Sequence, residues 1–410
     1  MTVIDIKKVL DSDSDDYIIK QYCGLYLIKY NKHSLTHDNV STLGLFRSVI
    51  TDGERILSFA PTKSQNYNHF IVNNDFQDCH ISEFIDGTMI NVFYNTSNIN
   101  KNGKSSPKWE IATRSNIGAN CRFNLNSNKT FREMFYDAIC ISNHTDSDFF
   151  DKLNKNYCYS FVLQHPENRI VHHVNTPQIY LTNVFDCCGN TISTIPNNEM
   201  KTLDMSEIVK YPKNIHEMFS KVKNWDYINL LCSGEQTSFN LQGFVITNSN
   251  NVRTKIRNIE YEKIKRIRGN SPKLQYQFLE LYKQNKIKQY LGYFPEHIEL
   301  FNGYRRDFYK WTETLYNLYI NCFIEKTTYL RNCAFEFKPI LYFLQKHYLL
   351  ELRPNGKKVN FTYLKQYVKG IPTEKIMFSM NYCHRTLNEN NENNENNKDT
   401  TVKELQEATI

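Results

Sequence analysis

The chain has 410 residues, of which 40% are hydrophobic, 14% aromatic and 23% charged, and its formal net charge is +7. A chain of this length predicts two domains, and its apolar content is sufficient for packed cores, which excludes a globally disordered protein. No run of about 18 apolar residues occurs, so the sequence predicts neither a transmembrane helix nor a membrane partner.

The N-terminus contains no apolar segment followed by a cleavage site, so we expect no secretory signal.

Up to about residue 260, short apolar segments alternate with turns rich in Asn, Asp, Gly and Ser, a pattern typical of antiparallel strands. Two segments, 128–139 and 205–225, have helical spacing instead. The strands are predicted over residues 17–30, 47–61, 88–94, 157–164, 169–174 and 241–247.

From about residue 257 the apolar residues recur at helical spacing, as in 274–294, 304–324 and 337–353. The polar, repetitive segment 388–401, NENNENNENNKDTT, has nothing to bury and predicts disorder. The fold class predicted is therefore α+β, with an antiparallel-rich domain followed by a largely helical one. We expect these domains at residues 1–262 and 263–384, followed by a disordered Asn/Glu-rich tail at 385–410.

The eleven cysteines are scattered, without a CxxC pair or another metal-ligand spacing. The adjacent pair Cys187-Cys188 has no nearby histidine. An odd number of unpatterned cysteines is typical of a reducing compartment, and we expect no zinc site.

Basic residues are concentrated between Arg253 and Arg306, where thirteen Lys and Arg stand against five acidic residues, interleaved with Tyr and Phe. Such a mixture suits the phosphate backbone and the stacked bases of RNA. A solvated helical face would account for the pattern equally well.

The segment 83–94, EFIDGTMINVFY, resembles the strand–turn–strand motif that carries a nucleophilic lysine as Lys-x-Asp-Gly. Five further segments resemble, in order, the other motifs of the same family, the covalent nucleotidyltransferases, and specifically RNA ligases of the bacteriophage T4 type. They are 47–67, 109–119, 159–171, 239–247 and 252–261. The resemblance implies an ATP-grasping fold of antiparallel sheets with the nucleotide between them.

In such a ligase, a lysine attacks the α-phosphate of ATP, assisted by carboxylates that hold a divalent metal ion. The resemblance places Phe84 at the nucleophile position, and an aromatic ring cannot form a covalent adenylate. It places Val162 and Gln242 where acids are expected, and neither is a good magnesium ligand. No catalytic residue and no metal site are therefore expected, and ATP and Mg²⁺ would be cofactors only of an active ligase.

The same motifs retain cations that would bind phosphate in the family, and the first motif supplies the residues expected to line the pocket. The cations are Arg47, Lys63, Arg114, Arg169, Lys255 and Arg257, and the pocket-lining residues are Glu83, Phe84, Asp86 and Gly87.

Each of these residues also has a structural interpretation. Phe84 is either a core aromatic or a ring that stacks on a base, and Asp86-Gly87 by itself is a common hairpin turn. Arg169 could serve as a cap or an ion-pair partner. Lys255 and Arg257 share one strand face, which could simply be solvated. His172 and His173 are expected to alternate across a strand.

The favoured hypothesis is a catalytically degenerate ligase-like protein that binds RNA, including a 5′ end or cap, or a nucleotide. One alternative is an active ATP-dependent RNA ligase with a displaced nucleophile such as Lys63. Another is a scaffold in a viral RNA-processing, transcription or translation complex. The FI-acid-GTM form of the motif resembles proteins of mimivirus-like large DNA viruses. We therefore expect a viral protein in the host cytoplasm, including the viral factory, or in the virion.

Overall fold

The computed structural model describes residues 1–97, 106–123, 127–141, 144–201 and 207–382. The predicted tail at 385–410 lies outside the described residues. The chain divides into two compact units, Met1–Arg268 and Gly269–Ile410. The predicted boundary at 262/263 lies inside helix Ile259–Arg268, which belongs to the first unit. Tyr261 holds this helix there, because its buried hydroxyl donates a hydrogen bond to Asp86.

The predicted α+β class is confirmed, since strands dominate the first unit and helices the second. The strands are β1 (Thr2–Val3), β2 (Tyr17–Tyr22), β3 (Leu25–Tyr30), β4 (Val49–Thr51), β5 (Ile56–Phe59), β6 (Cys79–Glu83), β7 (Thr88–Asn95), β8 (Lys108–Thr113), β9 (Asn116–Ile117), β10 (Tyr157–Gln164), β11 (Gln178–Cys188), β12 (Thr191–Thr194), β13 (Val209–Lys210), β14 (Gly243–Asn248) and β15 (Arg253–Arg257). The helices of the first unit are α1 (Ile6–Leu10), α2 (Tyr67–Val72), α3 (Phe131–Ile139), α4 (Asp146–Asp151), α5 (Asn197–Met200), α6 (Ile215–Met218), α7 (Trp225–Cys232) and α8 (Ile259–Arg268).

The central sheet has the order β1-β12-β11-β10-β7-β8-β9, all antiparallel, with β13 parallel to β11. One face packs against α3 and α4, where Phe135, Phe149 and Phe161 are fully buried. The other face packs against a second sheet, β2-β3-β4-β5, with the rings of Phe59 and Phe185 5.1 Å apart. These strands form because their β-branched and aromatic residues alternate between two buried faces.

A third sheet, β15-β14-β6, buries one face against α2, α6 and α7. Ile81, Phe244 and Ile246 form this side of the core. Residues 84–87 connect β6 of this small sheet to β7 of the central sheet. The segment FIDG therefore lies where the chain passes from one sheet to another.

The second unit is helical. Its helices are α9 (Leu274–Lys283), α10 (Ile287–Tyr293), α11 (Ile298–Tyr319), α12 (Lys338–His347) and α13 (Phe361–Lys369), followed by a helix over 373–382. Phe278, Phe301 and Leu341 are at most 1% exposed within this unit. Asn285 has a positive φ of 56°, which separates α9 from α10 within the predicted helix 274–294. In the described part of the chain, no helix is both long and apolar enough to cross a membrane.

Two predicted elements are wrong. Residues 169–174 do not form a strand, because the backbone amides of Val171 and His172 donate to the Asp86 carboxylate rather than to a neighbouring strand. The predicted alternation of the two histidines across a strand is therefore wrong as well. Residues 207–225 do not form one helix, since Pro212 lacks the amide that a continuous helix needs there and separates β13 from α6. Residues 205–206 lie outside the described part.

Candidate phosphate-binding site

A cavity of about 840 Å³ lies in the first unit, bordered by the small sheet, the central sheet and the segments that flank β4 and β5. The sequence-predicted residues that line it are Arg47, Lys63, Glu83, Phe84, Asp86, Gly87, Val162, Gln242, Lys255 and Arg257. The structure therefore brings together residues that are up to 210 positions apart in the chain. Arg114 and Arg169 are not among the lining residues.

Strand β15 supplies three of the six Lys and Arg side chains that line the cavity. Its alternate residues Arg253, Lys255 and Arg257 all line the cavity, because successive side chains of a strand point to opposite faces. Thr254 and Ile256 face the other way, where the Thr254 hydroxyl donates to the Gln65 carbonyl and Ile256 packs against the core. One strand thus presents three cations to one cavity.

Arg47, Lys63, Arg253, Lys255 and Arg257, which we call the cation cluster, act on one another electrostatically. Burial, and then the positive charge of Arg257, lower the pKa of Lys255 to about 7. Burial, and then Arg47, lower the pKa of Lys63. Burial, and then Arg47, also lower the pKa of Arg253, although a guanidinium stays charged at neutral pH. The positive side chains of the cluster therefore repel one another in a partly buried part of the cavity.

Counter-charges are scarce in the cation cluster. The Nε atom of Arg257 lies 3.1 Å from Oε1 of Glu262. Within the described ranges, Arg47, Lys63, Arg253 and Lys255 have no carboxylate within 4 Å. The Nε atom of Arg253 is buried and has no hydrogen-bond partner among the residues that the structure describes. Buried cations are costly unless they are paired, so a bound polyanion would stabilise this arrangement.

Phe84 is half-buried and lines the cavity, so it is not a core residue. Its ring centroid lies 5.5 Å from Nζ of Lys255 and 5.8 Å from Cζ of Arg257. Its backbone amide donates to the Gly243 carbonyl, which fixes the end of β6 against the start of β14. The ring therefore faces two cations of the cavity.

Asp86 and Gly87 have structural roles. The Asp86 carboxylate accepts hydrogen bonds from the backbone amides of Val171 and His172, both at 2.9 Å, and from the Tyr261 hydroxyl at 2.6 Å. A Cβ atom on Gly87 would lie 2.4 Å from the Leu163 carbonyl oxygen, so only glycine fits where β7 starts beside β10. Neither residue needs a ligand to explain its presence.

Two predicted phosphate-binding residues point elsewhere. Arg114 donates from Nε to the Arg47 carbonyl, and its guanidinium lies 5.2 Å from the ring centroid of Tyr30. Arg169 donates from Nε to the Val171 carbonyl at 3.1 Å. Arg114 still acts on the cluster at a distance, because its charge contributes to the lowered pKa of Arg47, after burial.

The sequence prediction missed Arg253 and Lys265, which also line the cavity. Arg253 could have been found, since it is two residues before Lys255 on the same strand face. Lys265 lies on α8, where its basic neighbours are typical of a solvated helix. Burial, and then the charge of Arg257, lower the pKa of Lys265.

The described lining of the cavity is a poor fit for a divalent metal ion, because Glu83 is its one carboxylate besides Asp86. Val162 offers no ligand, and the carboxylate of Asp86 already accepts three hydrogen bonds. Gln242 is 6% exposed, and its side-chain carbonyl offers a neutral oxygen only. Among the residues that the structure describes, no group of three His, Cys, Asp or Glu side chains could hold a metal ion.

No family model matches the chain. Among curated proteins, the chain is similar to the immediate-early protein ICP-46 homolog of Invertebrate iridescent virus 3, with 23% identity over 220 residues. The match covers 51% of this chain and 41% of that protein, so the chain spans less than half the length of this relative.

The similar solved structures are ATP-dependent ligases. A proposed DNA ligase from Aquifex aeolicus matches with 12% identity and a TM-score of 0.37, over 68% of this chain and 66% of that one. An archaeal RNA ligase matches with 14% identity and a TM-score of 0.37, over 91% and 76%. A Naegleria gruberi RNA ligase variant with ATP and Mn matches with 15% identity and a TM-score of 0.36, over 57% and 68%. Likeness at this level gives no information on the chemistry of the cavity.

Proposed function

We propose that this protein binds the phosphorylated 5′ end of an RNA, or a nucleotide, through the cation cluster, and that it does not join RNA ends. The observation that carries the proposal is the convergence of five cations on one cavity, four of them without a carboxylate within 4 Å in the described ranges. Charge-assisted hydrogen bonds from guanidinium and ammonium groups are the usual way in which proteins hold phosphate.

The absence of end-joining follows from the residue at the nucleophile position. Phe84 has no atom that could attack phosphorus, and its ring is packed against Lys255 and Arg257. Val162 and Gln242 remove the carboxylates that would order a metal ion around the α-phosphate. The cavity thus has groups that bind anions and lacks the acids at these two positions that would order a metal ion.

The cellular setting of this function is also a proposal. The FI-acid-GTM motif resembles mimivirus-like proteins, and the similar curated protein is named as an immediate-early protein of an iridescent virus. Both support an origin in a large DNA virus and a role in viral RNA metabolism in the host cytoplasm.

Binding can be measured by fluorescence anisotropy with one RNA oligonucleotide that carries either a 5′-phosphate or a 5′-hydroxyl. We expect tighter binding of the phosphorylated form, and a loss of affinity with increasing salt. Arg47→Gln, Lys255→Gln and Arg257→Gln together should weaken binding at least about tenfold and reduce the salt slope by roughly 2.

The matched control is Lys7→Gln, Lys8→Gln and Lys152→Gln, which removes the same number of basic side chains from exposed positions outside the cavity. It should change affinity less than about twofold if local contacts dominate. Equal losses in the two triple variants, or equal affinity for the two 5′ ends, would overturn the proposal. Thermal melts of both variants show whether they are folded.

A second candidate function, an active ligase with a displaced nucleophile, is favoured by one observation. Lys63 and Lys255 line the cavity, and burial and neighbouring cations lower the pKa of each amine. A lowered pKa increases the fraction of the neutral amine, which is the nucleophilic form. Incubation with ATP and Mg²⁺, followed by intact-protein mass spectrometry, tests this directly. A mass increase of one adenylate would establish the second function in place of the first.

A further inference from the structure

We infer that the cation cluster takes the place of a divalent metal ion, so that this cavity binds the polyphosphate chain of a 5′-triphosphate without one. The inference rests on the proposed function and goes further, because it names the charge state of the ligand and excludes a metal requirement for binding it.

The first argument is the chemistry of the possible metal ligands. Magnesium prefers carboxylate oxygens, and the cavity offers two acids, Glu83 and Asp86. Both oxygens of Asp86 already accept hydrogen bonds. Glu83 lines the same cavity, where it helps to raise the pKa of Tyr180 after burial. The described lining therefore offers an ion one further carboxylate, that of Glu83, against the five cations of the cluster.

The second argument is charge balance. A nucleoside triphosphate carries a charge of about −4 at neutral pH. Among the five cations of the cluster, only Arg257 has a carboxylate within 4 Å in the described ranges. Adding a divalent cation to a place where positive charges already depress the pKa of Lys255 would increase their repulsion. A triphosphate alone would compensate the cluster almost completely.

The third argument is the extent of the cluster. Lys63, Lys255 and Arg257 line the cavity of about 840 Å³ and also an adjoining cavity of about 520 Å³. The positive side chains therefore continue from one cavity into the next instead of surrounding a single point. A chain of several phosphates can contact more of them than a single phosphate can, so affinity should increase with phosphate number.

The test is isothermal titration calorimetry of the full chain with AMP, ADP and ATP, in excess EDTA and in excess MgCl₂. We expect affinity to rise by about tenfold for each added phosphate in EDTA, and to change by less than about threefold when MgCl₂ replaces EDTA. Loss of ATP binding in EDTA, or equal affinity for AMP and ATP, would overturn the inference. Absence of binding to nucleotides and to 5′-phosphorylated RNA in either buffer would overturn the proposed function itself.

Two variants sharpen the test. Lys63→Gln should weaken ATP binding in EDTA by about tenfold and AMP binding by much less, because Lys63 also lines the adjoining cavity, and Lys63→Arg should restore most of the loss. Lys152→Gln, at an exposed position outside the cavity, is the matched control and should leave both affinities unchanged. Gln242→Glu should weaken binding in EDTA and make it respond to MgCl₂, because it places a carboxylate in the cavity wall. Wild-type behaviour of both Lys63→Gln and Gln242→Glu would contradict the inference.

Discussion

The ammonium group of Lys255 lies 5.5 Å from the centroid of the Phe84 ring. The negative face of an aromatic ring favours the charged form of a nearby amine, whereas burial and the surrounding cations favour the neutral form. Burial and the surrounding cations outweigh the effect of the ring, since the pKa of Lys255 is lowered to about 7. Phe84 thus partly shields a lysine whose charge is sensitive to whatever anion the cavity binds.

Ligand binding should depend on pH through Lys255. A bound phosphate chain favours the charged amine, so it raises the lowered pKa of Lys255, and binding takes up a proton above about pH 7. We expect affinity for ATP to fall roughly tenfold between about pH 7 and pH 9, as the free protein loses this charge. Lys255→Arg, which stays charged throughout, should show a much flatter profile. An unchanged slope in this variant would assign the pH dependence to another group.

The stability of the ligand-free protein should change with pH in the opposite sense. The folded-state pKa of Lys255, about 7, lies below its value of about 10.4 in the unfolded chain. The unfolded chain therefore binds more protons between these values, and the free energy of unfolding rises with pH across them. Lys255→Met should stabilise the free protein by on the order of 1 kcal/mol below pH 7, with an advantage that shrinks towards pH 10.

Urea denaturation at several pH values measures this difference. Lys152→Met is the control for a general effect of removing a lysine, since Lys152 is exposed. Greater stability of the wild type than of Lys255→Met below pH 7, in the absence of a ligand, would show that Lys255 is not held at an electrostatic cost.

A predicted strand is correct where its own residues specify it, and wrong where a distant residue takes its hydrogen bonds. Strand β10 has the predicted bounds, because its eight residues are mostly aromatic or apolar and are buried along nearly the whole segment. Residues 169–174, RIVHHV, are also rich in β-branched residues but form no strand, because the distant Asp86 takes up two of their amides. A pattern in one segment cannot reveal an acceptor that lies more than 80 residues away in the chain.

The positions of some site residues could likewise be predicted from the sequence, and those of others could not. The common direction of Lys255 and Arg257 could be predicted from their spacing along one strand, and Arg253 obeys the same rule. Arg114 lies in segment 109–119, which resembles a ligase motif, but its side chain turns to Tyr30 and to the backbone of Arg47. The direction of a side chain beyond a strand end depends on tertiary contacts, which a motif does not specify.

The hydrogen bond between Tyr261 and Asp86 should contribute strongly to the stability of the first unit. Tyr261→Phe removes one donor to a buried carboxylate and should cost about 1.5–3 kcal/mol of the free energy of unfolding. Asp86→Asn should cost more, because the amide group cannot accept from two backbone amides and the hydroxyl as a carboxylate does. In a double-mutant cycle, the two losses should be strongly non-additive. Additive losses would show that the two groups do not interact in solution.

Restoring the family's catalytic residues should recover little chemistry. Phe84→Lys, Val162→Glu and Gln242→Glu together place a lysine and two acids at the positions that the resemblance assigns to catalysis. The new lysine would stand beside Lys255 and Arg257, and the new acids would pair with the cluster rather than with a metal ion. We therefore expect weak adenylation at best, measured as transfer of radiolabelled AMP to the protein, with Phe84→Met as the inactive control. Efficient adenylation of the triple variant would instead mean that the rest of the pocket still has the geometry of a working ligase, with Phe84, Val162 and Gln242 as the barrier to catalysis.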